Sequence, residues 1–170
     1  MRNKFILLIN REIKNAQEGK KAEIIAKMNS LVDPEIIKLL YLASAAGVKI
    51  SLIIRGICCL YPQRKNLSEN IKVISIIGHF LEHSRVFWFC NNNDPEVFIG
   101  SADWMRRNLD RRIEAVTPIE DYELKSQLYS LLQTYIKDDY FSWVMKEDGS
   151  YVKHIFEEAN NRSQIDLIEK

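Results

Sequence analysis

Residues 22–54 read AEIIAKMNSLVDPEIIKLLYLASAAGVKISLII, and this pattern predicts a strand, a helix and a second strand. The first strand is the apolar run 22–28, and the second is the β-branched run 48–54. Between them, Asp33 is a good N-cap for a helix and Gly47 is a good residue to end it. Two strands joined by one helix lie parallel in the same sheet. The unit therefore predicts an α/β fold with a mixed, mostly parallel β-sheet flanked by helices.

The sequence on both sides of this unit predicts further elements of the same fold. One helix precedes it, and strands, an amphipathic helix and two hairpins follow it. Their expected bounds are a helix at 5–19, strands at 71–77, 85–90, 96–99 and 111–116, a helix at 121–136, and a hairpin at 141–151. The remaining residues, 154–170, are expected to form a polar C-terminal tail with a frayed end.

The composition is that of a globular domain rather than of a disordered or fibrous chain. The 170 residues are 46% hydrophobic and 28% charged, which suits one domain. A net charge of +1 does not indicate nucleic acid as a partner, so an anion site must come from local clustering. Three cysteines, Cys58, Cys59 and Cys90, favour a reducing, cytoplasmic setting, with peripheral membrane association left open. No run has the length of a membrane span, and export is not expected.

Two histidines, His79 and His83, are four residues apart in GHFLEHSR, residues 78–85. This spacing binds a metal when both histidines lie on one face of a helix and a further ligand is near. The segment joins two predicted strands and is too short for a stable helix. A metal site is therefore disfavoured.

A phosphoryl site is the second interpretation of the same segment. His83 and Arg85 stand where one strand of the predicted hairpin begins, and Gly100, Ser101 and Asp103 follow its partner strand, so these residues would converge. There the arginine would neutralise phosphate oxygens, the serine would donate a hydrogen bond, and the imidazole would act as nucleophile, acid or base. From the spacing alone, an ordinary surface histidine is an equally open interpretation.

Arginines elsewhere in the sequence favour an anion site. Arg55 follows the second strand directly, and open α/β sheets bind ligands beyond the carboxyl ends of their strands. A surface salt bridge is the alternative for Arg55. Residues 106–112 contain four arginines, whose guanidinium groups suit oxyanion recognition, although such a run is usually a solvated face. Lys27 and Asn29, at the end of the first strand, could line the same anion site.

Five stretches of the sequence carry a more specific indication. They read IIAKMNSLVDPEII, GVKISLIIRGICCL, SENIKVISIIGHFLEHSR, IGSADWMRRNLDRRIE and DGSYVK. Together they resemble, in the expected order from about residue 11 to residue 153, the C-terminal region of bacterial polyphosphate kinase, a long-chain enzyme related to phospholipase D. The resemblance implies a phospholipase-D-like catalytic domain at 21–153, with an N-terminal helix leading in at 1–20 and the polar tail at 154–170.

The resemblance also implies an activity. The family transfers the terminal phosphate of ATP reversibly to inorganic polyphosphate through a phosphohistidine, with Mg²⁺ as cofactor. Its catalytic core has two phospholipase-D-like domains that face each other, and this chain resembles the second, whereas the phosphohistidine belongs to the first. The implied partners are ATP or ADP, inorganic polyphosphate and the remaining domains of the same enzyme, which is expected to be a homo-oligomer. The ligands of Mg²⁺ are expected mainly outside this chain, and the chain alone is expected to be inactive.

Site residues follow from the resemblance position by position. Arg55 matches an arginine that contacts nucleotide phosphates, and His83 matches the second active-site histidine. Arg112 matches a further phosphate-contacting arginine, and Arg85 and Ser101 complete the predicted ATP-binding and phosphate-binding set. His79 matches no catalytic residue.

Two departures from the phospholipase D signature bear on the chemistry. The HxK motif appears as His83-Ser84-Arg85, and the last residue of GSxN is Asp103. Both departures disfavour the phosphodiesterase chemistry of that superfamily. Two alternatives remain open at this stage: a homodimeric phospholipase-D-like nuclease or phosphodiesterase, and a polyanion-binding module without catalysis.

Overall fold

Eight strands form one sheet in the computed structural model of the protein, which describes residues 1–153 and 161–168. The strands are β1 (Glu23–Met28), β2 (Lys49–Ile54), β3 (Ile71–Ile76), β4 (Val86–Phe89), β5 (Glu96–Gly100), β6 (Val116–Ile119), β7 (Ser142–Met145) and β8 (Tyr151–Lys153). Their order across the sheet is β6-β5-β4-β1-β2-β3-β7-β8. The unit predicted at 22–54 thus lies at the centre of the sheet.

The sheet is mixed, but the expectation that it is mostly parallel was wrong. Within the described residues, two of the seven strand pairings, β1 with β2 and β2 with β3, are parallel, and the other five are antiparallel. The helical crossover between β1 and β2 imposes the parallel direction in the centre. Both flanks are built from hairpins and short returns, whose strands run antiparallel.

Helices cover both faces of the sheet. They are α1 (Arg2–Gln17), α2 (Pro34–Ala45), α3 (Arg106–Asp110), α4 (Tyr122–Lys137) and α5 (Ser163–Asp166). Side chains of α1 and α2 pack in one apolar core, and those of α4 pack in a second core on the opposite face. Along β1, Ile24 and Ala26 enter the first core and Ile25 enters the second, as the alternation of a strand requires. No helix of the described residues has the length and apolar character needed to cross a membrane.

The helix α2 begins and ends as its sequence predicts. The side chain of Asp33 accepts hydrogen bonds from the N–H groups of Glu35 and Ile36 at 3.2 and 3.1 Å, which satisfies two donors of the first turn. Gly47 has φ +96°, a conformation that favours glycine after the last turn.

The strand predicted at 111–116 lies further along the chain. Arg111 and Arg112 close the last turn after α3, because both of their N–H groups donate to the carbonyl of Arg107. The strand β6 starts at Val116 and, among the described strands, pairs only with β5. An edge position tolerates Pro118, which has no N–H group to donate to a neighbour.

The C-terminal tail lies partly outside the described residues, since 154–160 and 169–170 are not described. For residues 163–166 the prediction of a frayed end was wrong, because they form α5. Ser163 and Gln164 are buried and make side-chain hydrogen bonds to other elements of the fold. The polar composition suggested a solvated tail, whereas these two polar side chains are themselves buried and hydrogen-bonded.

Candidate phosphate-binding site

A chain of hydrogen bonds links Arg55 to His83 at the edge of the sheet where β1 and β2 end. The Nε of Arg55 donates to the Oδ1 of Asn29 at 2.6 Å. The N–H and Nδ2 of Asn29 donate to the Oδ1 of Asp103 at 2.8 and 3.1 Å, and Arg85 Nε donates to the same oxygen at 3.1 Å. The Nη1 of Arg85 lies 2.9 Å from the Nδ1 of His83. We call these five residues the phosphate-site network.

Strand direction explains why residues so far apart in sequence meet at this edge. Asn29 and Arg55 follow the parallel strands β1 and β2, whose carboxyl ends lie side by side. The strand β4 runs antiparallel to β1, so Arg85, which precedes β4, lies at the same edge. The strand β5 runs antiparallel to β4 and returns the chain there, which brings Asp103 into the network.

Asp103 is the buried centre of the network. Its side chain is 8% exposed and that of Arg85 is 13% exposed, so their ion pair is largely shielded from water. A buried carboxylate is costly unless it is paired and hydrogen-bonded, and Arg85 and Asn29 meet both requirements. The sequence predicted that Asp103 converges with His83 and Arg85 and that Asn29 could lie at the same edge, but it did not predict the hydrogen bonds by which these two residues join the arginines. Their bridging role was missed, and strand order was the information needed to find it.

The contact with Arg85 defines how the His83 side chain is used. The Nη1 of Arg85 lies 2.9 Å from the Nδ1 and 3.5 Å from the Nε2 of His83, and because a guanidinium has only donors, the imidazole must face it with an acceptor. In the neutral tautomer that carries its proton on Nε2, the nearer Nδ1 is that acceptor. Arg85 also donates to the carbonyl of His83 at 2.9 Å, which holds the backbone of the same residue. His83 is exposed, and its ring is therefore accessible to a ligand.

Two further predicted arginines have guanidinium nitrogens left for a ligand. Within residues 1–153 and 161–168, neither Arg55 nor Arg112 has a carboxylate within 4 Å. Arg55 is half-buried and Arg112 is exposed. By contrast, Arg106 lies 4.0 Å from the carboxylate of Asp110 on its own helix.

Ser101 lies next to the network, but its hydroxyl already has partners. It donates to Glu114 and accepts from the N–H of Ala115 at 3.1 Å, while Asn108 also donates to Glu114. The hydrogen bond from Ser101 lowers the pKa of Glu114; partial burial opposes this shift, and Asn108, Arg112 and Arg85 add to it. Glu114 is therefore a charged neighbour of the predicted phosphate ligands that the sequence interpretation missed. Its place among arginines was the available signal.

Lys27 does not line the predicted anion site. It is buried, and its Nζ lies 3.0 Å from a carboxylate oxygen of Glu82 and 2.8 Å from the hydroxyl of Ser84. The ammonium also lies 4.8 Å from the centre of the Tyr135 ring. Burial lowers the pKa of Lys27, although Glu82 opposes this shift.

The structure separates His79 from the network. His79 is exposed and packs edge-on against Phe141, with ring centroids 5.6 Å apart. Residues 78–85 form no helix, so the four-residue spacing of the two histidines does not create a shared face. In the part of the chain that is described, no group of three His, Cys, Asp or Glu side chains could hold a metal ion.

Comparison with known sequences identifies relatives of the chain. Residues 1–164 match the family model described as polyphosphate kinase C-terminal domain 2. The polyphosphate kinase of Parasynechococcus marenigrum is 58% identical over 165 residues, which are 96% of this chain and 23% of that protein. That of Prochlorococcus marinus is 64% identical over 146 residues, which are 86% of this chain and 20% of that protein. The chain thus spans about a fifth of the length of these relatives.

Comparison with solved structures agrees with the sequence match. The crystal structure of polyphosphate kinase from Porphyromonas gingivalis superimposes with a TM-score of 0.95 at 39% identity, over 99% of this chain and 26% of that one. NucT from Helicobacter pylori gives a TM-score of 0.57 at 16% identity, over 81% of this chain and 92% of that one. Nuc from Salmonella typhimurium, a phospholipase D family member, gives a TM-score of 0.51 at 19% identity, over 77% of this chain and 85% of that one.

At such identities NucT and Nuc bear on the fold alone, and they confirm the predicted phospholipase-D-like architecture. The family model covers nearly the whole chain, and the relatives are well over 30% identical across most of it. The chain belongs to the polyphosphate kinase C-terminal domain 2 family.

Proposed function

We propose that this chain forms one half of a polyphosphate kinase catalytic centre. In this role it takes part in the reversible transfer of the terminal phosphate of ATP to inorganic polyphosphate. The observation that carries the proposal is the phosphate-site network, which holds two arginines and His83 at one edge of the sheet. Membership of the family supports it. Transfer itself would need the remaining domains of the enzyme, because the chain spans about a fifth of its relatives.

Phosphoryl transfer depends mainly on positioning and on stabilising the charge of the phosphate oxygens. Arg55 and Arg112 would bind these oxygens with the guanidinium nitrogens that have no carboxylate partner within the described residues. Arg85 is fixed by Asp103 and would add positive charge beside them. Because Arg55 and Arg85 are held by hydrogen bonds before a ligand arrives, little reorganisation of these two groups would be needed during the reaction.

His83 would act at the phosphoryl group that is transferred. With Nδ1 accepting from Arg85, the Nε2–H can donate to a phosphate oxygen as negative charge develops there. The histidine that carries the phosphate during transfer would belong to the other phospholipase-D-like domain. Ser101 could donate to a phosphate oxygen as well, once its hydroxyl leaves Glu114.

Mg²⁺ is expected to arrive with ATP, and the carboxylates at this edge do not fit as its ligands. Asp103 is occupied by Arg85 and Asn29, and Glu82 is occupied by Lys27. Both oxygens of Glu114 accept hydrogen bonds, from Ser101 and Asn108. When bound, Mg²⁺ neutralises phosphate charge, and its ligands are expected elsewhere in the enzyme. The homo-oligomeric state and the cytoplasmic location also remain predictions.

The test uses the complete polyphosphate kinase that contains this chain, with transfer measured from labelled ATP to polyphosphate. We expect His83→Ala and Arg55→Ala each to lower kcat/KM by about 100-fold, the usual cost of losing a positioned acid or donor. Arg106→Ala removes an exposed arginine outside the network and should leave the rate unchanged. A His83→Ala enzyme that transfers phosphate at the normal rate would refute the proposal.

Two assays on the 170-residue chain separate the alternatives. A phosphodiesterase would cleave bis(p-nitrophenyl) phosphate, and His83→Ala would abolish the cleavage. A polyanion-binding module would bind polyphosphate with a strong salt dependence, and His83→Ala would change neither binding by the 170-residue chain nor transfer by the complete enzyme.

A further inference from the structure

The segment that carries His83 has no regular secondary structure. Residues 77–85 connect β3 to β4. Backbone hydrogen bonds hold its two ends, from the Ile77 N–H to the Phe141 carbonyl and from the Gly100 N–H to the Arg85 carbonyl, both at 3.2 Å. Between these ends, side chains from distant parts of the fold supply the contacts.

Glu82, which precedes His83, is held from two sides. One carboxylate oxygen lies 3.0 Å from the Nζ of Lys27 on β1. The other accepts a hydrogen bond of 2.8 Å from the Nε2 of Gln164 on α5. The Glu82 side chain is 11% exposed, and a charge so shielded from water is stable only when its oxygens are satisfied.

Gln164 also binds the backbone of the segment. The N–H of Phe80 donates to its Oε1 at 3.0 Å, and its Nε2 donates to the Phe80 carbonyl at 2.8 Å. The side-chain amide thus satisfies both backbone groups of Phe80, as a neighbouring strand would do. Gln164 is 3% exposed, so water competes little for these bonds.

The helix α5 has its own support. The carboxylate of Asp138 accepts from the N–H of Ser163 at 2.8 Å and from the N–H of Phe141 at 2.6 Å. Asp138 therefore ties α5 to the turn between α4 and β7. Gln164 reaches the histidine segment from a fixed position.

Lys27 holds the other neighbour of His83. Its Nζ donates to the hydroxyl of Ser84 at 2.8 Å in addition to its pair with Glu82. The residues immediately before and after His83 are thus bound to the same buried ammonium group. The imidazole itself is exposed and directed by Arg85.

We propose that Lys27 and Gln164 are positioning residues for His83. They hold Glu82 and Ser84 against the sheet, so that the imidazole stays opposite Arg85 and presents Nε2 to the ligand. This inference rests on the proposed function, in which His83 acts on a phosphoryl group. Neither residue needs to touch the substrate.

The experiment again uses the complete polyphosphate kinase. Gln164→Glu replaces the donor that faces Glu82 with a carboxylate oxygen, and the double variant Glu82→Gln with Gln164→Glu restores a donor and an acceptor at this contact. Gln127→Glu makes the same change at an exposed position of α4 and is the matched control. Gln164→Asn keeps the amide but shortens the side chain, and it serves if Gln164→Glu does not fold.

We expect Gln164→Glu and Gln164→Asn to lower kcat by about 10-fold to 100-fold, the range for a misplaced catalytic group, with KM for ATP changed less than threefold. The double variant should recover only part of the lost kcat, because the Phe80 carbonyl still lacks the hydrogen bond that Gln164 donates to it. Hydrogen–deuterium exchange of residues 78–85 should rise in both single variants and fall back in the double variant. Gln127→Glu should match the wild type in both measurements.

Normal kcat, or unchanged exchange of residues 78–85, in folded Gln164 variants overturns the positioning role. Wild-type enzyme and His83→Ala are included in the same assay. If the wild type transfers no phosphate, or His83→Ala retains the rate, the proposed function is contradicted instead. The exchange measurement still decides in that case whether Gln164 holds the segment.

Discussion

A buried carboxylate, Asp103, lies 3.1 Å from the guanidinium Nε of Arg85. The arginine in turn reaches the ring of His83 with its Nη1. Asp103 therefore aligns a cation with a histidine through Arg85. Its place in the network makes it the first residue to test by substitution.

Asp103→Asn keeps the size of the side chain but removes its charge. Arg85 would lose its ion pair and keep a weaker hydrogen bond, so we expect the free energy of unfolding to fall by about 1–3 kcal/mol. In the complete polyphosphate kinase that contains this chain, and under the function proposed above, we expect transfer to fall by about tenfold, because the arginine no longer holds His83 as firmly. Urea unfolding and the ATP-to-polyphosphate assay measure the two effects.

The control for this substitution is Asp94→Asn, which removes an exposed carboxylate outside the network. It should change neither the free energy of unfolding nor the rate of transfer. Equal stability of the Asp103→Asn and wild-type proteins would show that the buried pair contributes little.

Glu114 is predicted to weaken phosphate binding. Its carboxylate is charged at neutral pH, as an ordinary glutamate is, and the hydrogen bond from Ser101 lowers its pKa further. The carboxylate also occupies the hydroxyl that a phosphate oxygen would use. Glu114→Gln should therefore bind a polyphosphate of defined length more tightly, by about 2-fold to 5-fold for one partly buried like charge removed. Fluorescence anisotropy at two salt concentrations measures the change, which should shrink at high salt.

The exposed residue Glu120 provides the comparison, since Glu120→Gln makes the same net charge change away from the network. If both variants bind equally tightly, overall charge rather than the local contact of Glu114 with Ser101 explains the result.

Gly78 is predicted to be required by close packing. A Cβ at this position would lie 2.4 Å from the Oε1 of Gln164 and 2.7 Å from a ring carbon of Phe141. Gly78→Ala should therefore lower the free energy of unfolding by about 1–3 kcal/mol, the usual cost of overpacking. Adding Gln164→Ala should make the glycine substitution less costly, which a double-mutant cycle of thermal unfolding can measure. Additive losses would mean that Gln164 does not oppose the added methyl group.

The sequence predicted the centre of the fold well because local signals agree there. Asp33 and Gly47 mark the ends of α2, and the apolar runs on either side form β1 and β2. The position of Arg55 at the end of β2 follows from the same pattern. The direction of the outer strands did not follow, because it depends on how hairpins add to a central unit rather than on periodicity.

The sequence predicted that His83, Arg85 and Asp103 converge, but the contacts of Gln164 and of Ser101 were beyond prediction. Gln164 reaches Glu82 across 82 positions of the chain, from a segment whose polar composition resembles a solvated tail. Ser101 is bound to Glu114 because the turn after α3 folds back, and no motif records that contact. Long-range polar pairs depend on tertiary packing, so they were found only in the folded structure.

Arg2 is predicted to make the stability of the protein sensitive to acid. Its Nη2 lies 2.6 Å from Asp33 and its Nε lies 2.7 Å from Asp110, which joins the start of α1 to α2 and α3. Burial raises the pKa of Asp33, but hydrogen bonds from Arg2 and from the N–H groups of Ile36 and Glu35 outweigh it, and the net shift is downward. The pKa of Asp110 is lowered mainly by its hydrogen bond from Arg2.

A carboxylate whose pKa is lower in the folded state stabilises the protein above its unfolded pKa, which is near 4 for aspartate. The stabilisation by these two pairs should therefore be complete at pH 7 and decline as the pH falls below about 5. Arg2→Gln should lower Tm at pH 7, by about 2–4 °C for each kcal/mol lost in a chain of this size. The difference in Tm between variant and wild type should narrow toward pH 3, as thermal unfolding followed by circular dichroism would show.

The exposed Arg106, 4.0 Å from Asp110, supplies the control Arg106→Gln, for which we expect a small difference in Tm at every pH. If the difference in Tm for Arg2→Gln stays constant from pH 7 to pH 3, protonation of Asp33 and Asp110 does not weaken their pairs with Arg2.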